Sequence, residues 1–133
     1  MNICLIGFNL TNFLLAISLS KKGFEVDIIF DEKNKSKSNN RTIGISKKNI
    51  EFLKSILNIP NQFLWPIFQI EILNLKNNPS KKIKFKDDKE ENFFLIKQSD
   101  LFKLSEKKCK QLKNIYFSKC TPNEILKLEK TNN

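Results

Sequence analysis

The sequence predicts an α/β fold that opens on a βαβ unit and carries a small antiparallel sheet inserted after it. Residues 2–31 supply the first observation: an apolar run, Ile3-Cys4-Leu5-Ile6, then Gly7, a segment with helical spacing, Gly23, and a second apolar run at 26–30. The second is a set of strand-like runs at 68–75, 82–86 and 93–96, the first two alternating apolar and polar residues as half-buried strands do. The third is a helical period that resumes at Ser99 and leads into a short apolar run at 115–117.

In the opening unit, Leu10, Phe13, Leu14 and Ile17 recur at i, i+3, i+4 and i+7 and should face a sheet. Lys21 and Lys22 suit the negative end of that helix, and Gly23 is its stop signal. Strand, glycine turn, helix and strand in this order form the unit that holds dinucleotides. The glycine lets the backbone approach a pyrophosphate, and the helix end directs N–H groups at the anion. The full fingerprint is G-x-G-x-x-G, and here it reads Gly7-Phe8-Asn9-Leu10-Thr11-Asn12. Asn9 tolerates a left-handed backbone, but its side chain takes space that phosphates would approach. Asn12 should hold the helix slightly off the strand. The acid expected at the end of the second strand falls one place late, with Phe30 in its position and Asp31 following.

Residues 31–40 read as a charged, solvated loop rich in Lys, Asn and Ser. A short extended piece, Arg41-Thr-Ile-Gly-Ile-Ser46, comes next, and Ser46 can cap a helix whose apolar face is Ile50, Leu53, Ile56 and Leu57. Pro60 ends that helix or begins the next turn. The three strand-like runs, with turns at 77–80 and 87–91, read as an antiparallel meander. The helix from Ser99 carries Leu101, Leu104, Lys108 and Leu112 on one stripe, with Lys103, Lys107 and Lys110 on others. Residues 115–117 form a last strand, and 122–133 are helix or strand. The whole is expected to be a single partial domain over 1–133 with the strand insertion at 67–97.

Composition narrows the chemistry. Lys and Arg total 24 against 14 acidic residues, a formal net charge of +10, yet Arg41 is the sole arginine. Readers of nucleic acid lean on arginine forks, so no nucleic-acid partner is favoured, although a small basic lysine-rich nucleic-acid binder is the alternative reading. The chain has no histidine, which removes Ser-His-Asp catalysis and histidine-ligated zinc. Cys4, Cys109 and Cys120 are far apart and odd in number, so a disulfide framework is not expected and a reducing cytosol is. The longest apolar stretch, 13–19, falls far short of a membrane span, and no basic leader or cleavage site opens the chain.

Several moderate motifs in order carry a resemblance: the Gly7 turn, Gly23-Phe-Glu-Val26, the charged loop, Arg41-Thr-Ile-Gly-Ile-Ser46, Trp65-Pro66-Ile67, Gln69-Ile70-Glu71-Ile72, and Leu95-Ile96-Lys97-Gln98-Ser99-Asp100-Leu101. Together, over residues 1–118, they resemble the FAD-dependent aromatic hydroxylases of the para-hydroxybenzoate hydroxylase superfamily, closest to those of ubiquinone biosynthesis. The resemblance implies a Rossmann-like FAD-binding start, incomplete relative to the family, whose later Asp-Gly turn and Gly-Asp-Ala-type motif do not occur in these 133 residues. The chain therefore reads as the N-terminal portion of such a monooxygenase, truncated, split or decayed to a non-catalytic remnant, and inactive alone.

Residue by residue, the resemblance implies an FAD pyrophosphate over Gly7, Asn9 and Asn12, and an adenosine ribose near Asp31. Arg41 would stand beside the cofactor, and Gln98 would approach the flavin or its ribityl chain. The alternatives are a loop salt bridge for Arg41 and a helix cap for Gln98. In the family the cofactor performs the chemistry, so no catalytic residue is assigned to this chain and no metal is expected. The implied partners are a small aromatic substrate such as a prenylated phenol, and NAD(P)H or another electron donor to the full enzyme. The implied location is cytoplasmic, with the full enzyme peripheral to the inner membrane.

Overall fold

The computed structural model of the protein describes residues 2–34, 41–73, 82–86, 93–121 and 124. The chain begins with β1 (Asn2–Ile6), α1 (Leu10–Lys21) and β2 (Glu25–Phe30), and β1 and β2 pair in parallel from Asn2 opposite Glu25 to Ile6 opposite Ile29. Next come β3 (Thr42–Ser46), α2 (Lys47–Ile56), β4 (Trp65–Ile67), β5 (Gln69–Leu73), β6 (Lys82–Lys86), β7 (Phe93–Lys97), α3 (Gln98–Gln111) and β8 (Ile115–Lys119). β8 returns parallel to β2 on the side away from β1, giving the order β1-β2-β8. The fold class is the expected one: mixed α/β, a parallel sheet built on the βαβ start, and small antiparallel pairings. The turns at 77–80 and 87–91, loop residues 35–40, positions 74 and 75 of the first alternating run, and 122–133 apart from Glu124 lie outside the described residues.

The three strand-like runs do not make one meander. β5 and β6 pair as a two-stranded antiparallel unit, while β7 lies between β3 and β4, antiparallel to both. A strand-like pattern identifies a strand but not its neighbour. The choice follows burial, because Ile96 on β7 sits opposite Ile43 on β3, and Ile96 and Ile45 both enter the core.

Local chemistry sets the helix ends. α1 closes where the N–H of Gly23 reaches Ser20 O at 3.0 Å and that of Phe24 reaches Leu19 O at 3.2 Å, the paired bonds of a Schellman motif. That motif needs a left-handed residue, and Gly23 supplies it at φ +87°. α2 starts at Ser46, whose hydroxyl accepts the Asn49 N–H at 3.4 Å, and buries Ile50, Leu53 and Ile56 with Leu57 beyond its end. In α3 the buried stripe is Leu101, Phe102, Ser105 and Cys109, so Leu104, Lys108 and Leu112 lie to its side. Ser105 fits the interior because its hydroxyl donates to Leu101 O at 2.7 Å.

The helices cover the sheet face that carries Val26, Ile28 and Ile115, and the core continues through Phe13, Ala16, Ile17, Ile50 and Ile96. Asn114 ties α1 to the start of β8. Its side-chain amide donates to Phe24 O at 2.7 Å and Ser20 O at 3.2 Å, and its Oδ1 accepts from the Ser20 hydroxyl at 2.6 Å. The opposite face bears exposed Cys4, Ile6 and Tyr116, with the Ser118 hydroxyl donating to the Asp27 carboxylate at 2.8 and 3.0 Å. Among the described residues no helix is long and apolar enough to cross a membrane.

Candidate functional site

Three strand ends converge at the carboxyl edge of the parallel sheet, where open α/β sheets bind their ligands. β1 delivers Gly7, whose N–H donates to Ile29 O of β2 at 2.7 Å and whose φ of +113° only glycine adopts without strain. Phe8 then turns inward. Its ring centroid lies 4.7 Å from that of Phe30, 4.9 Å from Phe13, 6.0 Å from Phe102 and 6.2 Å from Phe117, so the turn is anchored by an aromatic cluster. The cluster also explains the displaced acid: Phe30 points into the core, and Asp31 is the first residue past the strand.

The two asparagines take up the turn's polar capacity. Asn9 is extended, at φ −143° and ψ 165°, not left-handed, and its Oδ1 accepts the Asn12 N–H at 2.9 Å as the cap of α1. Asn12 donates through Nδ2 to the carbonyls of Ile6 and Gly7, both at 2.8 Å. It thus bonds the helix to the strand end it faces. No acidic residue lies in the first turn of α1.

Beside this turn, past the ends of β2 and β8, lies a cavity of about 260 Å³ lined by Asp31, Glu32, Lys33, Lys119, Cys120 and Thr121. Asp31 Oδ1 accepts the N–H of Lys33 at 3.0 Å, and Lys119 pairs with Glu32 at 3.0 Å. The N–H of Cys120 donates to Phe30 O at 3.0 Å, continuing the β2–β8 pairing one residue past the strand. Thr121 gives its N–H and hydroxyl to Glu124 Oε2 at 2.7 and 2.8 Å.

Arg41 and Gln98, 57 positions apart, meet at one end of the β3–β7 ladder. The N–H of Gln98 donates to Arg41 O at 2.9 Å, and Arg41 Nε donates to Gln98 Oε1 at 2.8 Å. Gln98 does not cap α3, because the capping position is Lys97, with no side-chain bond. Gly7, Asn9 and Asn12 therefore share one turn with Asp31 near the neighbouring strand end, while Arg41 and Gln98 form a separate pair on the antiparallel sheet. Asn114 and Lys119 carry no signal in the sequence, since each acquires its place through a partner on another element, and Thr121 has none beyond its bonds to Glu124 three positions on. Among the described residues no cluster of His, Cys, Asp and Glu could hold a metal. Burial pushes the Cys109 thiol up to about 12, with Glu106 adding to the effect, and burial, then Asp27 and Cys120, raise that of Cys4.

A βαβ start with a third parallel strand, a small antiparallel sheet and a helix between them is the architecture shared with FAD-dependent aromatic monooxygenases. No protein-family model matches the chain, and no curated protein matches its sequence. Among solved structures it is similar to a probable FAD-dependent monooxygenase, PqsL, from Pseudomonas aeruginosa (TM-score 0.65, 10% identity, 90% of this chain and 32% of that one). It is similar also to p-nitrophenol 4-monooxygenase PnpA from Pseudomonas putida DLL-E4 (0.66, 14%, 88% and 31%). A third is the tetrameric form of 2-methyl-3-hydroxypyridine-5-carboxylic acid oxygenase (0.66, 14%, 89% and 31%). The chain spans about a third of each of these proteins, and at such identities the likeness is one of fold.

Tested against the dinucleotide this fold accommodates, the residues fit unevenly. The cavity beside Asp31 and the Arg41–Gln98 pair offer polar groups to a nucleoside and its linker. At the phosphate turn, Asn9 occupies the helix end, and a Cβ built on Gly7 would stand 2.9 Å from the Asn9 amide nitrogen. In this arrangement the turn does not accept a pyrophosphate.

Proposed function

We propose that this chain is the nucleotide-binding portion of an FAD-dependent monooxygenase that hydroxylates an aromatic ring. The observation that carries the reading is the match of 90% of the chain, at a TM-score of 0.65, to about a third of a probable FAD-dependent monooxygenase. In this reading the cavity beside Asp31 takes the adenosine, and Arg41, held by Gln98, faces the linker or flavin. The bound flavin would supply the oxygen chemistry, while this chain supplies position. A ubiquinone-pathway substrate such as a prenylated phenol, NAD(P)H as donor and a cytoplasmic place at the inner membrane rest on the Arg41–Ser46 and Leu95–Leu101 motifs. The lysine-rich surface is not favoured as a nucleic-acid site: Lys103, Lys107 and Lys110 are spread over the exposed side of α3, and Lys110 pairs with Glu106.

Titration of FAD with purified chain, read by flavin fluorescence, tests the reading. Saturable quenching that short duplex DNA does not compete away is expected. Salt-sensitive DNA binding with no response to FAD in any variant overturns it. The same preparation should show no NAD(P)H-dependent oxygen uptake with a phenol, since the chain spans a third of the length of its structural neighbours.

A further inference from the structure

We propose that Asn9 and Asn12 form a closure over the phosphate turn, which a dinucleotide's pyrophosphate enters only by displacing the Asn9 side chain. The proposal rests on the reading of the chain as a dinucleotide-binding unit and identifies what in this chain governs entry.

The donors that would greet an anion are engaged. The N–H of Gly7 is held by Ile29 O and that of Asn12 by Asn9 Oδ1, so among the N–H groups of the first helical turn only those of Leu10 and Thr11 have no acceptor within the helix. Asn9 Oδ1 stands where a phosphate oxygen would receive the same bond. Its amide nitrogen lies across the open side of Gly7, the side that glycine leaves clear. Asn12 holds the arrangement from behind through two 2.8 Å bonds to Ile6 O and Gly7 O. Both replaced glycine positions thus act together, one as the plug and the other as its brace.

The closure is displaceable. Asn9 offers a neutral carbonyl dipole, whereas a phosphate offers a charge, and charge-assisted bonds to backbone N–H groups are roughly twice as strong as neutral ones. No acid in the first turn opposes the incoming anion. The extended backbone of Asn9 suits glycine equally, and glycine is itself an accepted helix cap, so Asn9→Gly removes the plug with little cost to α1.

Inorganic pyrophosphate and, separately, FAD are titrated into the wild-type chain and Asn9→Gly, following backbone amide shifts by NMR and the exchange rate of the Asn12 amide. In the wild type the Asn12 amide should exchange slowly, and the shifts at Leu10, Thr11 and Asn12 should be small. In Asn9→Gly the amide should exchange faster and both ligands should bind roughly tenfold more tightly, about 1.4 kcal/mol, with the pyrophosphate shifts confined to these three amides and those of FAD reaching also the residues around Asp31 and Arg41. Equal or weaker binding by Asn9→Gly overturns the closure, as does failure of both ligands to bind either protein. A gain for pyrophosphate without FAD binding sustains the closure and sinks the dinucleotide reading. Equal FAD binding by both proteins does the reverse. Should Asn9→Gly not fold, Asn9→Ser, which keeps a capping oxygen and withdraws the amide from Gly7, should show a several-fold gain, and no gain overturns the proposal.

Discussion

At the turn between β1 and α1, the polar side chains find their partners within six residues: Asn9 bonds Asn12, and Asn12 bonds Ile6 and Gly7. The Arg41–Gln98 pair joins residues 57 positions apart and stands at the end of a ladder whose neighbouring rung sets Thr42 opposite Lys97. The first arrangement depends on which residues occupy positions 9 and 12, and a single substitution can undo it. The second depends on the register of two strands, so the pair keeps its position as long as the sheet does. The turn is therefore set by local chemistry, and the Arg41–Gln98 pair by the fold.

The comparison breaks most visibly through Phe8, which fastens the turn to the core. Phe8→Ala empties a site ringed by Phe13, Phe30, Phe102 and Phe117 and should cost about 3 kcal/mol in urea denaturation. A loss below about 1 kcal/mol would mean that the hydrogen bonds alone hold the turn. Gly7→Ala comes next. It forces a side chain to φ +113° and places its Cβ 2.9 Å from the Asn9 amide, so a loss of about 2 kcal/mol is expected, with faster exchange of the Asn12 amide as Asn9 is pushed aside.

What the sequence revealed and withheld follows the same division between local and distant causes. α2 was readable from Ser46 through Ile56 because a cap and a 3.6-residue period are local signals. The period of α3 was read correctly in kind but shifted on its axis. Ser105 and Cys109 are weak apolar signals, yet both are buried, one through its bond to Leu101 O and the other with its thiol against Phe13 O at 3.5 Å. The strand runs were readable and their pairing was not, since β7 chose β3 and β4 through the burial of Ile96. At the candidate site, the glycine turn and the late acid were visible, and so was the conflict at Asn9. Its extended backbone, the inward turn of Phe30 and the Asn114 bridge, formed across 90 and 94 positions, needed the assembled fold.

Cys109 sharpens the contrast between core and edge by titration. Burial raises its thiol from 9.0 to about 12, so the folded chain holds that proton over a range in which the unfolded chain releases it. Its contribution to stability is complete below pH 9 and is lost as pH rises toward 12. Thiolate absorbance during an alkaline titration should show this cysteine ionising last, and a folded chain whose three thiols all ionise near pH 9 would contradict the burial at 109.

The smallest effect on stability is expected at the long-range pair, and it is the most informative about function. Arg41→Lys keeps the charge and the backbone bond from Gln98 while removing the Nε donor, and because Arg41 is exposed the change should cost about 0.5 kcal/mol or less. The Asn closure predicts that substitutions at 9 change affinity for inorganic pyrophosphate and FAD alike. The Arg41–Gln98 pair carries no such link to the turn, so Arg41→Lys should leave pyrophosphate shifts at Leu10–Asn12 unchanged while weakening FAD several-fold. If Arg41→Lys instead lowers stability by more than about 1 kcal/mol with FAD affinity intact, the pair serves only to fasten β3 to α3, and the proposed nucleotide site reaches no further than Asp31.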